Sequence, residues 1–397
     1  MKEGKLPFVI EAEEVDRLHK ASGLSLEGFL ATLVEPTRSL ARAPISKFHV
    51  GAVGLGSSGR VFRGVNIEFV GLPLNNSIHA EQFLVANAAR NGERRLQFLA
   101  VSAAPCGHCR QFLQELRGAS DLRILIADSK AETHELSYFL PHRFGPQDLL
   151  EDDFPLLLEP QSNSLCLNPS PQEASDILED ATRHSAGHHE DHSVGSVDQS
   201  VQGMNGMTLA IANGQGHEER ANFSDQQLLD AAPEAQKLIQ LQSLALEAAN
   251  HSYAPYTNCP SGLSMMTRKG NLYKGSYFES AAYNPSLPPL QAAVVAFVAE
   301  GGGQFDEILH VALVEKAGAT VRQADTIKLV LDRISPKASF RFIQFYDLYH
   351  ENHDRGGQIP KPSPVMISRV ISKVMIIVMI TLKGDSRLEI TGCNSGL

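Results

Sequence analysis

Apolar positions along the chain follow two periods, and the changes between them mark out the elements. Over residues 7–42 apolar side chains recur at helical spacing: Ile10, Val15 and Leu18, then Leu26, Phe29, Leu30, Leu33 and Val34. Glu13, Glu14 and Asp16 stand near the start of the first run, where carboxylates suit the positive end of a helix dipole. Residues 1–42 are therefore expected to form a helical segment that packs on the first domain. Phe48–Val53 and Val61–Phe69 read as strands joined by the turn Gly56-Ser57-Ser58-Gly59. A helix from His79 to Ala89 follows, with Phe83, Leu84 and Ala88 as its stripe and Asn91-Gly92 as its stop. Leu96–Ser102 reads as a buried strand, Cys106–Leu116 as a second helix and Leu122–Ala127 as a further strand. Strands alternating with helices predict an α/β domain over residues 43–150, an α/β/α sandwich around a mixed sheet.

After Leu150 the apolar period disappears. Glu151-Asp152-Asp153, the Asn/Ser/Pro run to Pro171 and the Gly/His/Ser/Asp stretch beyond it define a low-complexity linker over 151–222, with Ala181–Ala221 expected to be disordered. His184, His188, His189 and His192 in that stretch read as solvated loop residues. The first domain's pattern then returns 211 positions on. Ala43-Pro44 meets Ala254-Pro255, and Gly51, Gly59, Gly64 and Glu68 meet Gly262, Gly270, Gly275 and Glu279. Glycines at matched places imply the same turns and the same sheet, so residues 223–347 form a second copy. Continued without a gap, that register sets Leu290, Gln291 and Ala292 opposite His79, Ala80 and Glu81, and Glu315–Val321 contains no Cys. The fold class is thus two tandem copies, the second catalytically degenerate. Residues 348–397 form an atypical tail, in which Arg369 and Lys373 interrupt the apolar run Val365–Leu382 and make it a poor membrane span.

A chain of 397 residues with 43% apolar residues is too long for one domain and rich enough for two cores. Its formal charge of −10 argues against a surface that tracks phosphates, hence against nucleic acid as partner. Cys166, Cys259 and Cys393 have no framework spacing, and Met1–Ile10 lacks the apolar core of a signal peptide, so the cytoplasm is expected.

The chemistry concentrates between His79 and Cys109. Cys106 and Cys109, three apart and preceded by Pro105, present two sulfurs on one face at a helix start, where the thiolate is favoured. With His79 they give three ligands for a tetrahedral zinc ion and leave one position open, as catalytic sites require. Glu81 is the proton carrier beside them rather than a fourth ligand. His79 and Glu81 are two residues apart, and inside a helix they would diverge by about 200°; they can share one ion only if His79 is at or near the cap. Cys-Gly-His-Cys also occurs in redox sites; those carry Trp before the first Cys, whereas this chain has Pro105 there and no Trp at all. A structural zinc would need a fourth ligand, and no further Cys/His pair stands nearby at ligand spacing.

His79-x-Glu81 followed by Pro105-Cys106-x-x-Cys109 is the signature of zinc nucleobase deaminases. The chain resembles the cytidine deaminase family in its two-domain, homodimeric form, over roughly residues 7–347. The resemblance implies hydrolytic deamination of cytidine and 2′-deoxycytidine in pyrimidine salvage, with zinc hydroxide attacking C4 and Glu81 shuttling the proton. It further implies that Asn66 and Glu68 hydrogen-bond the ribose hydroxyls, with Ile67 between them. Phe48 would pack on the nucleoside and Phe144 on the base across a dimer interface. A carboxylate at Glu68 would repel a 5′-phosphate brought close, which favours the nucleoside over the nucleotide.

Overall fold

The structure, a computed structural model, describes residues 6–127, 132–165, 207–212, 218–223 and 225–345. The N-terminal part opens with β1 (Val9–Ile10), α1 (Ala12–Ser22), α2 (Leu26–Thr32) and α3 (Val34–Arg38). It continues through β2 (Gly51–Gly56), β3 (Val61–Val65), α4 (Ala80–Arg90), β4 (Leu96–Val101), α5 (Gly107–Phe112), β5 (Arg123–Ile126), β6 (Thr133–Glu135) and α6 (Leu136–Phe139). Its strands form one six-stranded sheet in the order β1-β3-β2-β4-β5-β6, mixed because β4 and β5 run parallel while the other pairs are antiparallel. One face carries α4, through Phe83 and Leu84; the other carries α1–α3, through Val15, Phe29, Leu30 and Val34. Residues 1–42 are thus less an appendage than one layer of the sandwich. Ile10, placed by its apolar spacing in the first helical run, instead belongs to the edge strand Val9–Ile10, in which Val9 pairs with Phe62 and Ile10 with Val61.

The expected linker begins later than residue 151. Leu156, Leu157 and Leu158 are buried, the N–H of Leu157 donates to the carbonyl of Glu115 (3.1 Å), and Glu159 pairs with Arg117 (2.9 Å). Within and just beyond Ala181–Ala221, expected to be disordered, stand two antiparallel paired strands, β7 (Met207–Ala212) and β8 (Glu218–Phe223). The rest of the stretch Ala181–Ala221, with its histidines, lies outside the described residues, as does the tail 348–397. Among the described residues no helix is long and apolar enough to cross a membrane.

The second copy comprises the end of α7 (Asp225–Asn250), β9 (Ser261–Thr267), β10 (Leu272–Ser276), α8 (Pro289–Ala299), β11 (Ile308–Lys316), α9 (Ala324–Ile334) and β12 (Ser339–Phe345). Its sheet runs β10-β9-β11-β12, again with one parallel pair, β11–β12. The repeat is close in three dimensions. A Cβ on Gly51 would lie 2.5 Å from the Arg38 nitrogen, and one on Gly262 2.1 Å from the Ala249 nitrogen, so α3 and the last turns of α7 press on the same strand at the same place.

The gapless register fails at one point. The bridge Ile67↔Ile78 in the first copy matches Phe278↔Leu287 in the second, so the loop before the helix is two residues shorter in the second copy. Consequently Pro288, not Leu290, stands where His79 stands, and Leu290, not Ala292, replaces Glu81. Loop lengths leave no periodic trace in a sequence, and the matched residues from Ala43 to Glu68 all lie before this loop.

Candidate active site

Helix α4 packs closely on β3 because Gly64 has no side chain: a Cβ there would stand 2.2 Å from the carbonyl oxygen of Ala80. That approach fixes the helix start. His79 is the N-cap residue, with extended backbone (φ −82°, ψ 154°), and Glu81 is the second helical residue. The cap geometry is what lets two residues two apart serve one spot. Cys106 is the N-cap of α5, extended after Pro105 (φ −70°, ψ 169°), and Cys109 lies within that helix's first turn. Two helix N-termini therefore converge, and their dipoles favour anionic thiolates.

The Sγ atoms of Cys106 and Cys109 are 3.7 Å apart, and they lie 3.5 and 3.4 Å from Nδ1 of His79. A tetrahedral zinc with Zn–S of about 2.3 Å and Zn–N of about 2.0 Å needs S···S of about 3.8 Å and S···N of about 3.5 Å, so the donor set fits that ion. Among the described residues this is the cluster able to hold a metal. Glu81 is buried, with Oε2 3.2 Å from Sγ of Cys109, and burial pushes its carboxyl above the ordinary range. The S–H of Cys109 and the His79 ring hold the Cys106 thiol down to about 3, which keeps a thiolate ready for a cation. The same contact with Cys106, followed by burial, pushes Cys109 up.

The cytidine and deoxycytidylate deaminase zinc-binding region matches this chain twice, over residues 28–124 and over residues 136–328. Cytidine deaminase 1 of Arabidopsis thaliana is 45% identical over 355 residues, which is 86% of this chain and 99% of the relative. The chain belongs to the cytidine deaminase family. Cytidine deaminase 6 of the same plant is 42% identical, over 80% of this chain and 92% of its own length. The cytidine deaminase of Sodalis glossinidius (strain morsitans) is 33% identical, over 79% and 82%. This family member is accordingly an enzyme of the hydrolase class with zinc as its metal.

The remaining residues expected at this deaminase site divide. Phe48 is exposed (57%), on a loop held by Asn66, whose Oδ1 accepts from the N–H of Val50 (2.8 Å) and whose Nδ2 donates to the carbonyl of Phe48 (2.9 Å). Glu68 accepts from the N–H groups of Ile45 and Ser46 (2.8 and 2.9 Å) and from the Ser46 hydroxyl. Ile67 does not face a ligand. Its side chain is in the core and its N–H and C=O are both paired with Ile78, because neighbours on an extended chain point to opposite faces. Phe144 is exposed, and its carbonyl accepts from Nε2 of Gln111 on α5 (2.6 Å).

Residues not anticipated also shape the site. The ring of His108 stacks on that of His79 with centroids 4.8 Å apart. Gln82 accepts the N–H of His79 at Oε1 (3.3 Å), the reciprocal half of a capping box. The usual Ser or Thr at the cap is absent here, so the motif was not legible as such. Glu115, just beyond α5, is wholly buried in hydrogen bonds to the second copy.

Proposed function

We propose that this chain converts cytidine or 2′-deoxycytidine and water to the corresponding uridine and ammonia, in cytoplasmic pyrimidine salvage. The observation that carries the reading is the buried Glu81 carboxyl in contact with Cys109, beside a His/Cys/Cys donor set of zinc dimensions. His79, Cys106 and Cys109 hold the ion, which when bound supplies the Lewis acid that makes water acidic near neutral pH. Glu81 would take a proton from that water and pass it to N3 of the ring, then take the proton of the hydroxyl formed at C4 and pass it to the departing amine, so that each proton delivered is one it has first accepted. Its burial favours the protonated form and so suits it to hold a proton between the two transfers.

Phe48 packs on the nucleoside and Asn66 meets a ribose hydroxyl through its remaining amide hydrogen and lone pair. Glu68 Oε1 accepts from the Ser46 hydroxyl and, as a carboxylate oxygen, retains acceptor capacity for the neighbouring ribose hydroxyl. Phe144 closes over the base from a second copy of the chain. A homodimer is supported by exposed apolar side chains on the two loops that precede α4 and α8, Val70 and Leu74 on one and Tyr283 on the other. The second copy has no chemistry of its own, since Pro288 and Leu290 replace His79 and Glu81.

The test is the loss of cytosine absorbance with cytidine, deoxycytidine and CMP supplied separately. Both nucleosides are expected to react and CMP is not; turnover of CMP alone would refute the nucleoside assignment. Glu81→Gln should retain zinc and lose about 10²- to 10⁴-fold in kcat. Near-normal turnover of that variant with zinc bound would exclude the proton shuttle.

A further inference from the structure

Both helices that carry the donor set are tied by a hydrogen bond, through Gln82 and Glu115, to one short loop of the second copy. Gln82, buried at the third position of α4, accepts the N–H of His79 and donates from Nε2 to the carbonyl of Pro285 (2.8 Å). Glu115, in the turn that continues α5, accepts at Oε1 from the N–H of Ala281 (2.8 Å). Its Oε2 accepts from the hydroxyls of Tyr253 (3.1 Å) and Tyr256 (2.5 Å). Ala281 and Pro285 both belong to one tight turn, residues 280–286. Within it the N–H of Tyr283 donates to the carbonyl of Ser280 (2.8 Å), that of Ser286 donates to Tyr283 (2.9 Å), and Tyr283 itself has positive φ (59°). Phe278 and Leu287 pair across its base in both directions. A turn so internally bonded, with one residue in the left-handed region, behaves as a rigid template.

We propose that the turn 280–286 of the second copy is a positioning element of the zinc site in the first, and that Gln82 and Glu115 are the positioning residues through which it acts. Neither residue touches the reacting atoms. Gln82 fixes the cap from which His79 projects, and Glu115 fixes the helix from which Cys106 and Cys109 project. The helix starts can then hold the three donors at zinc spacing only while both are attached to the same turn.

The near-symmetry of the two copies supplies an internal control. Gln291 occupies the place of Gln82 in α8 and points its Nε2 at the carbonyl of Asn76, in the equivalent loop of the first copy, at 3.5 Å. There the cap residue is Pro288, which has no N–H, so Gln291 reaches across without closing a cap and without a ligand behind it.

This inference rests on the zinc site and not on the choice of substrate, so its test measures metal. The full-length holoenzyme is mixed with a chromogenic chelator and the rate of zinc release followed, for variants whose circular dichroism matches that of the wild type. Gln82→Leu is expected to release zinc roughly 10- to 100-fold faster, the size of effect typical of groups that orient metal ligands. Gln82→Glu keeps the acceptor for His79 and loses the donor to Pro285; it should also release faster, although its added negative charge by itself would retain a cation. Gln291→Leu should release zinc as the wild type does. Tyr256→Phe, which removes one hydroxyl from Glu115 with little change of shape, should show a smaller acceleration. Wild-type release from Gln82→Leu overturns the proposal, as does equal acceleration by Gln291→Leu, and wild-type release from Tyr256→Phe overturns the role given to Glu115. Wild-type release from Gln82→Glu alone would show that only the local cap matters and overturn the role of the second copy. Full zinc retention by Cys109→Ala would instead refute the donor set itself.

Discussion

The first and second copies share a frame down to single contacts, yet among the described residues the His/Cys/Cys donor set lies in the first. Gly64 and Gly275 each let a helix approach the sheet so closely that a Cβ would lie within about 2.2 Å of helix backbone atoms. Glu68 and Glu279 each bind two backbone N–H groups and a hydroxyl of the loop that begins Ala-Pro, Ile45-Ser46 in one copy and Tyr256-Thr257 in the other. Lys47 and Asn258 both have positive φ (59° and 52°) in that loop. The differences that bear on the chemistry lie at two helix starts: His79 and Glu81 against Pro288 and Leu290, and Cys106-Gly107-His108-Cys109 against a turn without Cys. Frame and chemistry therefore depend on separate residues. The comparison also bears on Glu68: a carboxylate that keeps the same bonds in the copy without ligands is first a fastener of its loop.

The largest effect expected is from importing the second copy's cap into the first. His79→Pro should fold, since Pro288 begins the equivalent helix, but should lose stoichiometric zinc and all measurable deamination. Metal analysis and cytosine absorbance read this directly, and a zinc-replete His79→Pro would break the distinction between the copies. Next, Gly64→Ala and Gly275→Ala should each lose about 1–3 kcal/mol in denaturant unfolding through overpacking, whereas only Gly64→Ala should lose zinc affinity, because its new methyl group presses on the turn that begins at His79.

A smaller effect is expected in pH dependence. Burial holds the Glu115 carboxyl above its ordinary value of 4.5. The folded state then binds the proton more tightly than the unfolded chain. The resulting stability is fully present below 4.5 and is lost as pH rises through the folded value. The stability of the wild type relative to Glu115→Gln should therefore decline as pH rises from 4.5 towards neutrality, as measured by denaturant midpoints. A difference that grows over the same range would contradict the assignment. The smallest effect belongs to the ion pair between Arg90 and Glu300 at the ends of the two matched helices, which is partly solvent-exposed. Arg90→Ala should cost about 0–1 kcal/mol and less in high salt.

Much of this was legible in the sequence because its chemistry is local. His79-x-Glu81 and Pro105-Cys106-x-x-Cys109 each sit at a helix start whose signals are a stripe of apolar residues and a proline, and the demand that His79 be a cap followed from helix geometry alone. The repeat was legible through glycines, since a close backbone approach admits no other residue. Other features left weaker signals. A two-residue edge strand such as Val9–Ile10 is too short to show alternation. Leu156–Leu158 lies among acidic residues and prolines that resemble a linker, and its burial depends on a distant partner. Gln82 and Glu115 are ordinary polar residues in sequence; their importance arises from loops some two hundred and some one hundred and seventy positions away, Pro285 and Ala281. Ile67 was drawn into the site by its neighbours, although strand alternation turns it inward.

The contacts of Gln82 and Glu115 with Pro285 and Ala281 are made within one polypeptide. The chain itself sets the effective concentration of one half for the other, whatever the concentration of enzyme. Dilution cannot separate them as it would two free subunits. In nanomolar enzyme, the contacts between the two copies persist at the same strength as in a concentrated stock.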